Sequence, residues 1–200
     1  TPREPSSAAS DVYKRQPIVF GCDNQINEVH AFAMFDYYYS KGGRVFDTAY
    51  IYNHGLSDKY LGDWINSRDL KDVVVLGKGA HTPDCLPDKI KPQIKESLSR
   101  GNIDKLDIYC LHRDNLDVPV TEFIDALNEC KNDGLIDVLG ASNWELERFK
   151  LANDYAEDQE KESFKVLSNN FSLARMIEPV WPGCFSCDES YIKYLQDNNI

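Results

Sequence analysis

Two kinds of apolar stretch alternate along the chain after residue 16. Short β-prone runs predict six strands: Pro17–Gly21, Arg44–Asp47, Val73–Lys78, Leu106–Leu111, Val138–Ala141 and Lys165–Leu167. Longer stretches with apolar residues three or four positions apart predict helices: Ile26–Lys41, Ser57–Ile65, Pro87–Arg100, Val120–Asp133, Trp144–Glu157 and Asp188–Asp197. Strands that alternate with helices are typical of a parallel sheet with right-handed crossovers.

The number of βα units favours one architecture. Six units exceed a flavodoxin-like count and fit an α/β fold of the TIM (β/α)₈ barrel type, truncated to about six βα units. A doubly wound sheet is the alternative on periodicity alone, but no Gly-x-Gly-x-x-Gly follows the first strand. Because such a barrel typically needs about 250 residues and the chain has 200, we interpret the chain as a fragment.

The first sixteen residues do not share the pattern. Residues 1–10 are rich in Pro, Ser and Ala and have no periodicity, which predicts disorder. Residues 11–16 resemble the translation of a transposon end used in sequencing-library preparation. We therefore interpret residues 1–16 as a non-native scar and residues 17–200 as the partial barrel, with a natural disordered tail as the alternative.

Charge and apolar content exclude several classes of partner. Lys and Arg total 22 and Asp and Glu total 33, a net charge of −11, which argues against nucleic acid and anionic membranes. No apolar run approaches the ~20 residues of a membrane helix, and no stretch has the layout of a signal peptide. We expect a cytoplasmic protein of unassigned oligomeric state.

The six cysteines are scattered along the chain. Cys184 and Cys187 have Cys-x-x-Cys spacing, but no second pair or nearby His completes a zinc site, so we predict no metal. A redox role is the alternative to free thiols in a loop, which we favour.

Four polar residues lie at the ends of three of the extended runs. Asp47 and Tyr52 lie in the run from Phe46 to Tyr52, Lys78 ends the third strand and His112 follows the fourth. In a barrel of parallel strands the C-terminal strand ends share one rim, so these side chains are candidates for one pocket. A carboxylate, a phenol, an ammonium and an imidazole are what a carbonyl reductase needs to deliver a proton.

This set resembles the aldo-keto reductase family from about Pro17 to the end of the chain. Tyr52 follows Asp47 by five positions, as the family's proton-relay tyrosine follows its aspartate, and a lysine and a histidine end the next two strands. The resemblance implies NAD(P)H-dependent reduction of an aldehyde or ketone, with Tyr52 as proton donor. Lys78 would lower the pKa of the phenol, Asp47 would orient Lys78, and His112 would polarise the carbonyl.

The resemblance also implies contacts to the nicotinamide carboxamide. The run Gly140-Ala-Ser-Asn143 resembles the end of the family's fifth strand, which assigns this role to Ser142 and Asn143. Hydroxyl and amide groups suit an uncharged amide partner. A helix cap before Trp144 is the alternative role for Asn143.

The end of the sixth strand departs from the family pattern. Many members carry Gln where this chain has Ser168, so Ser168 or Asn170 is expected to make the remaining contact. Asp23 matches a cofactor-proximal loop weakly. The basic residues that bind the adenosine 2′-phosphate lie in this family after strands seven and eight, so NADPH and NADH both stay open, and family habit favours NADPH.

Aromatic residues near the predicted rim have two interpretations. Tyr50, Trp144 and Trp181 are candidates for lining the pocket of a small-molecule carbonyl substrate, with core packing as the alternative.

The family also includes regulatory subunits that bind the nicotinamide with little turnover, and this is the alternative function. A barrel without its last units leaves strand edges open, so we expect the 200-residue chain to be inactive by itself.

Overall fold

The computed structural model describes residues 18–19, 27–173, 176–179 and 181–200. Strands and helices alternate in it: β1 (Ile18–Val19), α1 (Glu28–Ser40), β2 (Val45–Asp47), α2 (Leu56–Ser67), β3 (Val74–Gly79), α3 (Pro87–Gly101), β4 (Leu106–Leu111), α4 (Val120–Asn132), β5 (Ile136–Ser142), α5 (Leu146–Asp158), β6 (Val166–Ser168) and α6 (Glu189–Asp197). The predicted disorder and scar, Cys22 and Asp23 lie outside the described residues.

The six strands form one parallel sheet in the order β1-β2-β3-β4-β5-β6. Each βα unit therefore adds its strand next to the previous one, whereas a doubly wound sheet reverses direction at a switch point. This order confirms the predicted barrel-type α/β fold. Lys78 pairs in register with Cys110, and Cys110 pairs with Gly140, so the C-terminal ends of β3, β4 and β5 lie along one rim.

The two faces of the sheet are packed differently because successive strand residues point to opposite sides. The larger cluster joins the outer face to the helices and contains Phe35, Trp64, Ile94, Phe123 and Phe149, all at most 1% exposed. A smaller cluster lies on the other face and consists of buried side chains from four strands: Val45, Leu76, Ile108, Cys110 and Val166. The helices thus cover the outer face of the sheet, and the candidate polar residues lie at the C-terminal ends of the strands.

The start of α2 differs from the prediction. The predicted helix begins at Ser57, but α2 begins at Leu56, Gly55 is its N-cap, and Ser57 lies buried in the first turn. Asn53 and His54 precede it with φ of 47° and 54°, and Gly55 has φ of 87°. Gly55 suits this left-handed entry to the helix, because glycine adopts such angles at no steric cost and a Cβ atom there would lie 2.6 Å from Arg100 Cζ.

The start of α5 also lies later than predicted. The helix begins at Leu146 rather than Trp144, and its N-cap residue is Glu145, which makes no side-chain cap hydrogen bond. Asn143 has φ of 58°, a left-handed conformation that ends β5 and turns the chain before the helix. The alternative role of Asn143 as helix cap is therefore wrong.

The cysteines in the described residues are all free. Cys85, Cys110 and Cys130 are buried, and Cys184 and Cys187 are partly exposed. In the same part of the chain, no three His, Cys, Asp or Glu side chains are grouped as a metal site would need. Nor does any helix within the described ranges combine the length and apolar character that crossing a bilayer requires.

Helices α2 and α3 approach each other through two glycines. A Cβ atom added to Gly62 would lie 1.8 Å from the carbonyl oxygen of Gly101, so the two backbones are in direct contact. Such an approach is possible only without a side chain at Gly62. It brings the last turn of α3 next to the loop that follows β2.

We expect Gly62→Ala to lower the free energy of unfolding by about 3 kcal/mol, because the new methyl group forces apart two packed backbones. Urea denaturation measures the change. Gly134→Asn is the control: a Cβ there meets nothing within 4 Å, and Asn tolerates left-handed angles, so the expected change is below about 1 kcal/mol. Equal effects of the two substitutions would contradict the close helix contact.

Candidate active site

The structure brings the four predicted catalytic side chains together at the C-terminal rim. Lys78 Nζ lies 2.6 Å from Asp47 Oδ1 and 5.1 Å from the centre of the Tyr52 ring. The rings of Tyr52 and His112 have centroids 5.5 Å apart at 81°. All four side chains are buried. Their convergence follows from strand ends that share one rim.

The loop after β2 explains how Asp47 and Tyr52 both reach Lys78. The backbone N–H of Thr48 donates to the carbonyl of Leu76 at 2.8 Å, and that of Tyr50 donates to the carbonyl of Lys78 at 2.7 Å. The loop thus continues alongside β3 beyond the end of β2. The Tyr52 N–H then donates to the Ala49 carbonyl at 2.9 Å, which turns the chain at Tyr52.

The Asp47–Lys78 pair places a charge in a dry environment. Burial by itself would lower the pKa of Lys78, but the Asp47 carboxylate and the Tyr52 hydroxyl, which is hydrogen-bonded to Lys78, raise the pKa above the ordinary lysine value. Burial raises the pKa of the Asp47 carboxyl, and Lys78 opposes that rise. Lys78 is therefore an ammonium at neutral pH, in contact with the phenol oxygen.

His112 is a neutral imidazole in this site. Burial lowers the pKa of His112 from 6.5 to about 2, and electrostatic interactions with Lys78, His81 and Arg113 act in the same direction. Its Nδ1 atom is buried and has no hydrogen-bond partner among the described residues. A neutral imidazole carries one N–H donor and one acceptor nitrogen, so the ring retains hydrogen-bonding capacity for another molecule.

Sequence reasoning missed His81, which lies beside His112. The two rings have centroids 4.9 Å apart at 77°. His81 is partly exposed, and its Nδ1 lies 2.9 Å from the Thr82 carbonyl oxygen, so Nδ1 is the donor. Its position three residues after Lys78, just beyond the strand end, was the available signal.

In the charged run from Arg113 to Asp117, Asp114 binds the helical layer, whereas Asp117 is exposed. Arg148 Nε donates to Asp114 Oδ2 at 2.5 Å, and the two side chains are only 16% and 9% exposed. Arg148 Nη2 also donates to the carbonyls of Asn115 and Val118, at 2.9 and 2.6 Å. The segment after β4 is therefore held from α5.

Three of the residues predicted to contact the cofactor lie together at the ends of β5 and β6. Ser142 Oγ donates to the Ser168 carbonyl and accepts from Asn143 Nδ2, both at 2.9 Å. Asn170 lies apart from them: it is exposed, and its Nδ2 donates to Ser186 Oγ at 2.9 Å. Asp23 is outside the described residues, so its role stays a prediction.

Two further polar and aromatic residues at this rim have structural roles. Asn169, which was not singled out from the sequence, accepts from the Trp144 N–H at 3.1 Å and donates to the Trp144 carbonyl at 2.8 Å. Trp144 itself is 0% exposed, and its ring centroid lies 5.9 Å from that of Phe123 and 5.2 Å from that of Phe164. The pocket-lining hypothesis is wrong for Trp144, which packs in the core.

The other two aromatic candidates differ in exposure. Tyr50 is partly buried, and its hydroxyl donates to Glu96 Oε2 at 2.8 Å. Trp181 is 66% exposed. Tyr50 therefore packs against α3, and a pocket role for Trp181 stays a prediction.

Removing the ammonium should destabilise the protein. We expect Lys78→Met to lower the free energy of unfolding by about 3–5 kcal/mol, because it leaves the Asp47 carboxylate buried without its partner. The double variant Asp47→Asn/Lys78→Met should lose less than the sum of the two single variants. Urea denaturation at neutral pH tests this, and strict additivity would contradict a coupled pair.

His112 should make stability depend on pH. Because its pKa is 6.5 unfolded and about 2 folded, the unfolded chain binds a proton below about pH 6.5 that the folded protein does not, and acid destabilises the fold. We expect the free energy of unfolding of His112→Gln to fall less steeply from about pH 6.5 to pH 4.5, by up to about 1.4 kcal/mol per pH unit. Denaturation curves measure both slopes, and identical slopes would show that the folded protein protonates His112.

Comparison with known proteins identifies the family to which the chain belongs. The sequence profile of the Aldo/keto reductase family matches residues 18–200. Norsolorinic acid reductase B of Dothistroma septosporum is 29% identical over 158 residues, which are 72% of this chain and 40% of that protein. A crystal structure of an aldo/keto reductase from Klebsiella pneumoniae in complex with NADP and acetate is 25% identical, with a TM-score of 0.57 over 68% of this chain and 47% of that chain.

A second solved structure is similar in fold. The thermostable aldo-keto reductase Tm1743, in complex with the inhibitor epalrestat, has a TM-score of 0.62 at 21% identity, over 76% of this chain and 54% of that chain. The chain thus spans about half the length of the relatives it matches. Since the family match runs from residue 18 to residue 200, this chain belongs to the aldo/keto reductase family.

Proposed function

We propose that the full-length protein uses NADPH or NADH to reduce an aldehyde or ketone to an alcohol, with Tyr52 as the proton donor. The observation that carries the proposal is the buried Asp47–Lys78 ion pair in contact with Tyr52. A permanent positive charge beside a phenol is the environment that makes a tyrosine a better acid. A neutral imidazole faces the same phenol.

Each residue has a separate task in this proposal. When bound, the nicotinamide supplies the hydride for the carbonyl carbon. Tyr52 donates the proton to the carbonyl oxygen, and the Lys78 ammonium stabilises the phenolate that remains. Asp47 holds Lys78 in place, and the neutral His112 ring donates a hydrogen bond to the carbonyl oxygen.

The proposed nicotinamide site has suitable chemistry. Ser142, Asn143 and Ser168 offer neutral hydroxyl, amide and carbonyl groups at the same rim, and these suit an uncharged carboxamide. NADPH is the preferred cofactor in this proposal because the Klebsiella pneumoniae relative was crystallised with NADP. Asn170 is the weaker candidate of the set because its amide already binds Ser186.

The described units alone are proposed to be inactive. Within the described residues β1 and β6 are the two edges of an open sheet, and exposed edges favour aggregation. The activity is therefore assigned to the full-length protein, and assays should use it. Tight nicotinamide binding without turnover of any aldehyde in a broad panel would instead support the regulatory subunit.

We expect Tyr52→Phe to lower kcat for aldehyde reduction by about 10²- to 10⁴-fold, because the proton donor is lost while the ring is kept. Oxidation of the reduced nicotinamide, followed by absorbance, measures the rate, and the cofactor Kd should stay unchanged. Tyr37→Phe, an exposed tyrosine on α1, is the matched control and should keep full activity. Full activity in the Tyr52 variant would assign the proton to another donor.

A further inference from the structure

Arg100, in the last turn of α3, contacts the loop that carries Tyr52. Its Nη1 donates to the backbone carbonyl of Tyr50 at 2.8 Å. The centre of its guanidinium group lies 4.4 Å from the centroid of the Tyr50 ring. A Cβ atom on Gly55 would lie 2.6 Å from Arg100 Cζ. The guanidinium group therefore contacts the loop both before and after Tyr52.

Two carboxylates hold the guanidinium group in this position. Arg100 Nη2 donates to Glu96 Oε1 at 2.6 Å, and Arg100 Nη1 lies 3.6 Å from Asp58 Oδ2. The Arg100 side chain is 24% exposed and that of Asp58 only 4%. A planar guanidinium with several fixed donors can hydrogen-bond the Glu96 carboxylate and the Tyr50 carbonyl together while its charge faces Asp58, which an ammonium on a flexible stem cannot do.

The same carboxylates also bind the loop directly. Thr48 Oγ1 donates to Asp58 Oδ1 at 2.7 Å, and the Tyr50 hydroxyl donates to Glu96 Oε2 at 2.8 Å. Thr48 follows Asp47, and Tyr50 lies two residues before Tyr52. The loop is thus fixed on one side by the backbone of β3 and on the other by α2 and α3.

We propose that Arg100 is a positioning residue for the proposed reduction, which holds the phenol of Tyr52 against Lys78 through the Tyr50 carbonyl. This inference rests on the proposed function. Arg100 touches none of the reacting groups. Without it, the Tyr50 carbonyl loses its donor and Asp58 loses its cation, so the loop moves and Tyr52 leaves its place beside the ammonium.

The test compares Arg100→Met with Arg68→Met in the full-length protein. Arg68 is a matched control because it also joins two helices through a carboxylate, with Nε and Nη2 at 2.6 and 2.7 Å from Asp36, and its side chain is 33% exposed. It binds α1 to α2 far from the loop, so a general loss of helix packing affects both variants, and a loss of Tyr52 positioning affects Arg100→Met alone.

We expect Arg100→Met to lower kcat by about 10- to 100-fold with the cofactor Kd changed less than about twofold, because a displacement of the order of 1 Å is enough for this loss. The high-pH limb of the kcat profile should move up by about half a pH unit or more as the phenol separates from the ammonium. Amide hydrogen exchange of residues 48–55 should accelerate about tenfold. Arg68→Met should show none of these changes.

Arg100→Lys keeps the charge without the fixed fork of donors, so it should recover part of the lost kcat and stand in if Arg100→Met does not fold. The positioning role would be overturned if Arg100→Met and Arg68→Met had equal hydrogen-exchange rates in residues 48–55 and the same high-pH limb of the kcat profile. A wild-type protein without turnover would overturn the proposed reduction only. Hydrogen exchange would then decide whether Arg100 holds the loop, and no difference between the two variants would overturn the inference.

Discussion

The candidate site depends on a buried ion pair between Asp47 and Lys78, which join at 2.6 Å with side chains 3% and 6% exposed. A pair of this kind is a poor source of stability, because the cost of removing two ions from water often exceeds their mutual attraction. Apolar side chains of similar size would pack there at least as well. The ion pair matters for its effect on Tyr52: Asp47 keeps the Lys78 ammonium against the phenol in a site without bulk water.

The same charge sets the state of the second ring. His112 is close enough to the ammonium that the Lys78 charge adds to burial in lowering the pKa of the imidazole. The site therefore carries one fixed cation, one phenol and one neutral imidazole, and the two rings have different acid–base properties although they lie edge to face. Different environments are how neighbouring groups acquire different roles in proton transfer.

Much of this arrangement could be predicted from the sequence, because it depends on local periodicity and on one topological rule. The strand Leu106–Leu111 has the predicted bounds, and Asp47, Lys78 and His112 meet because parallel strands end at a common rim. β5 is longer than predicted: Ile136 pairs with Leu106, so the ladder extends the strand past polar Asp137. Where a strand begins and ends depends on its pairing with the neighbouring strand, and the composition of one strand does not reveal that pairing.

Features that depend on distant parts of the chain could not be predicted in this way. Trp144 follows a strand end like a pocket residue, yet aromatic residues of α4 and of the segment before β6 enclose it. The left-handed conformation of Gly55 at the start of α2 continues that of Asn53 and His54 in the loop before it. His81 meets His112 across two loops. Each of these positions is set by tertiary contacts, for which the sequence alone offers no periodic signal.

Two arginines on outer helices serve the loops of this rim in the same way. Arg100 binds the carbonyl of Tyr50, 50 positions away, and Arg148 binds those of Asn115 and Val118, 33 and 30 positions away. Each arginine is in turn paired with a carboxylate that is less than 10% exposed: Arg100 with Asp58 at 3.6 Å, and Arg148 with Asp114 at 2.5 Å. The sheet fixes the first part of the loop after β2, because β3 accepts hydrogen bonds from the Thr48 and Tyr50 N–H groups. The carbonyls of Tyr50, Asn115 and Val118 accept instead from arginine side chains. A guanidinium supplied from the helical layer satisfies those carbonyls and so extends the order of the sheet into the loops that carry the polar side chains.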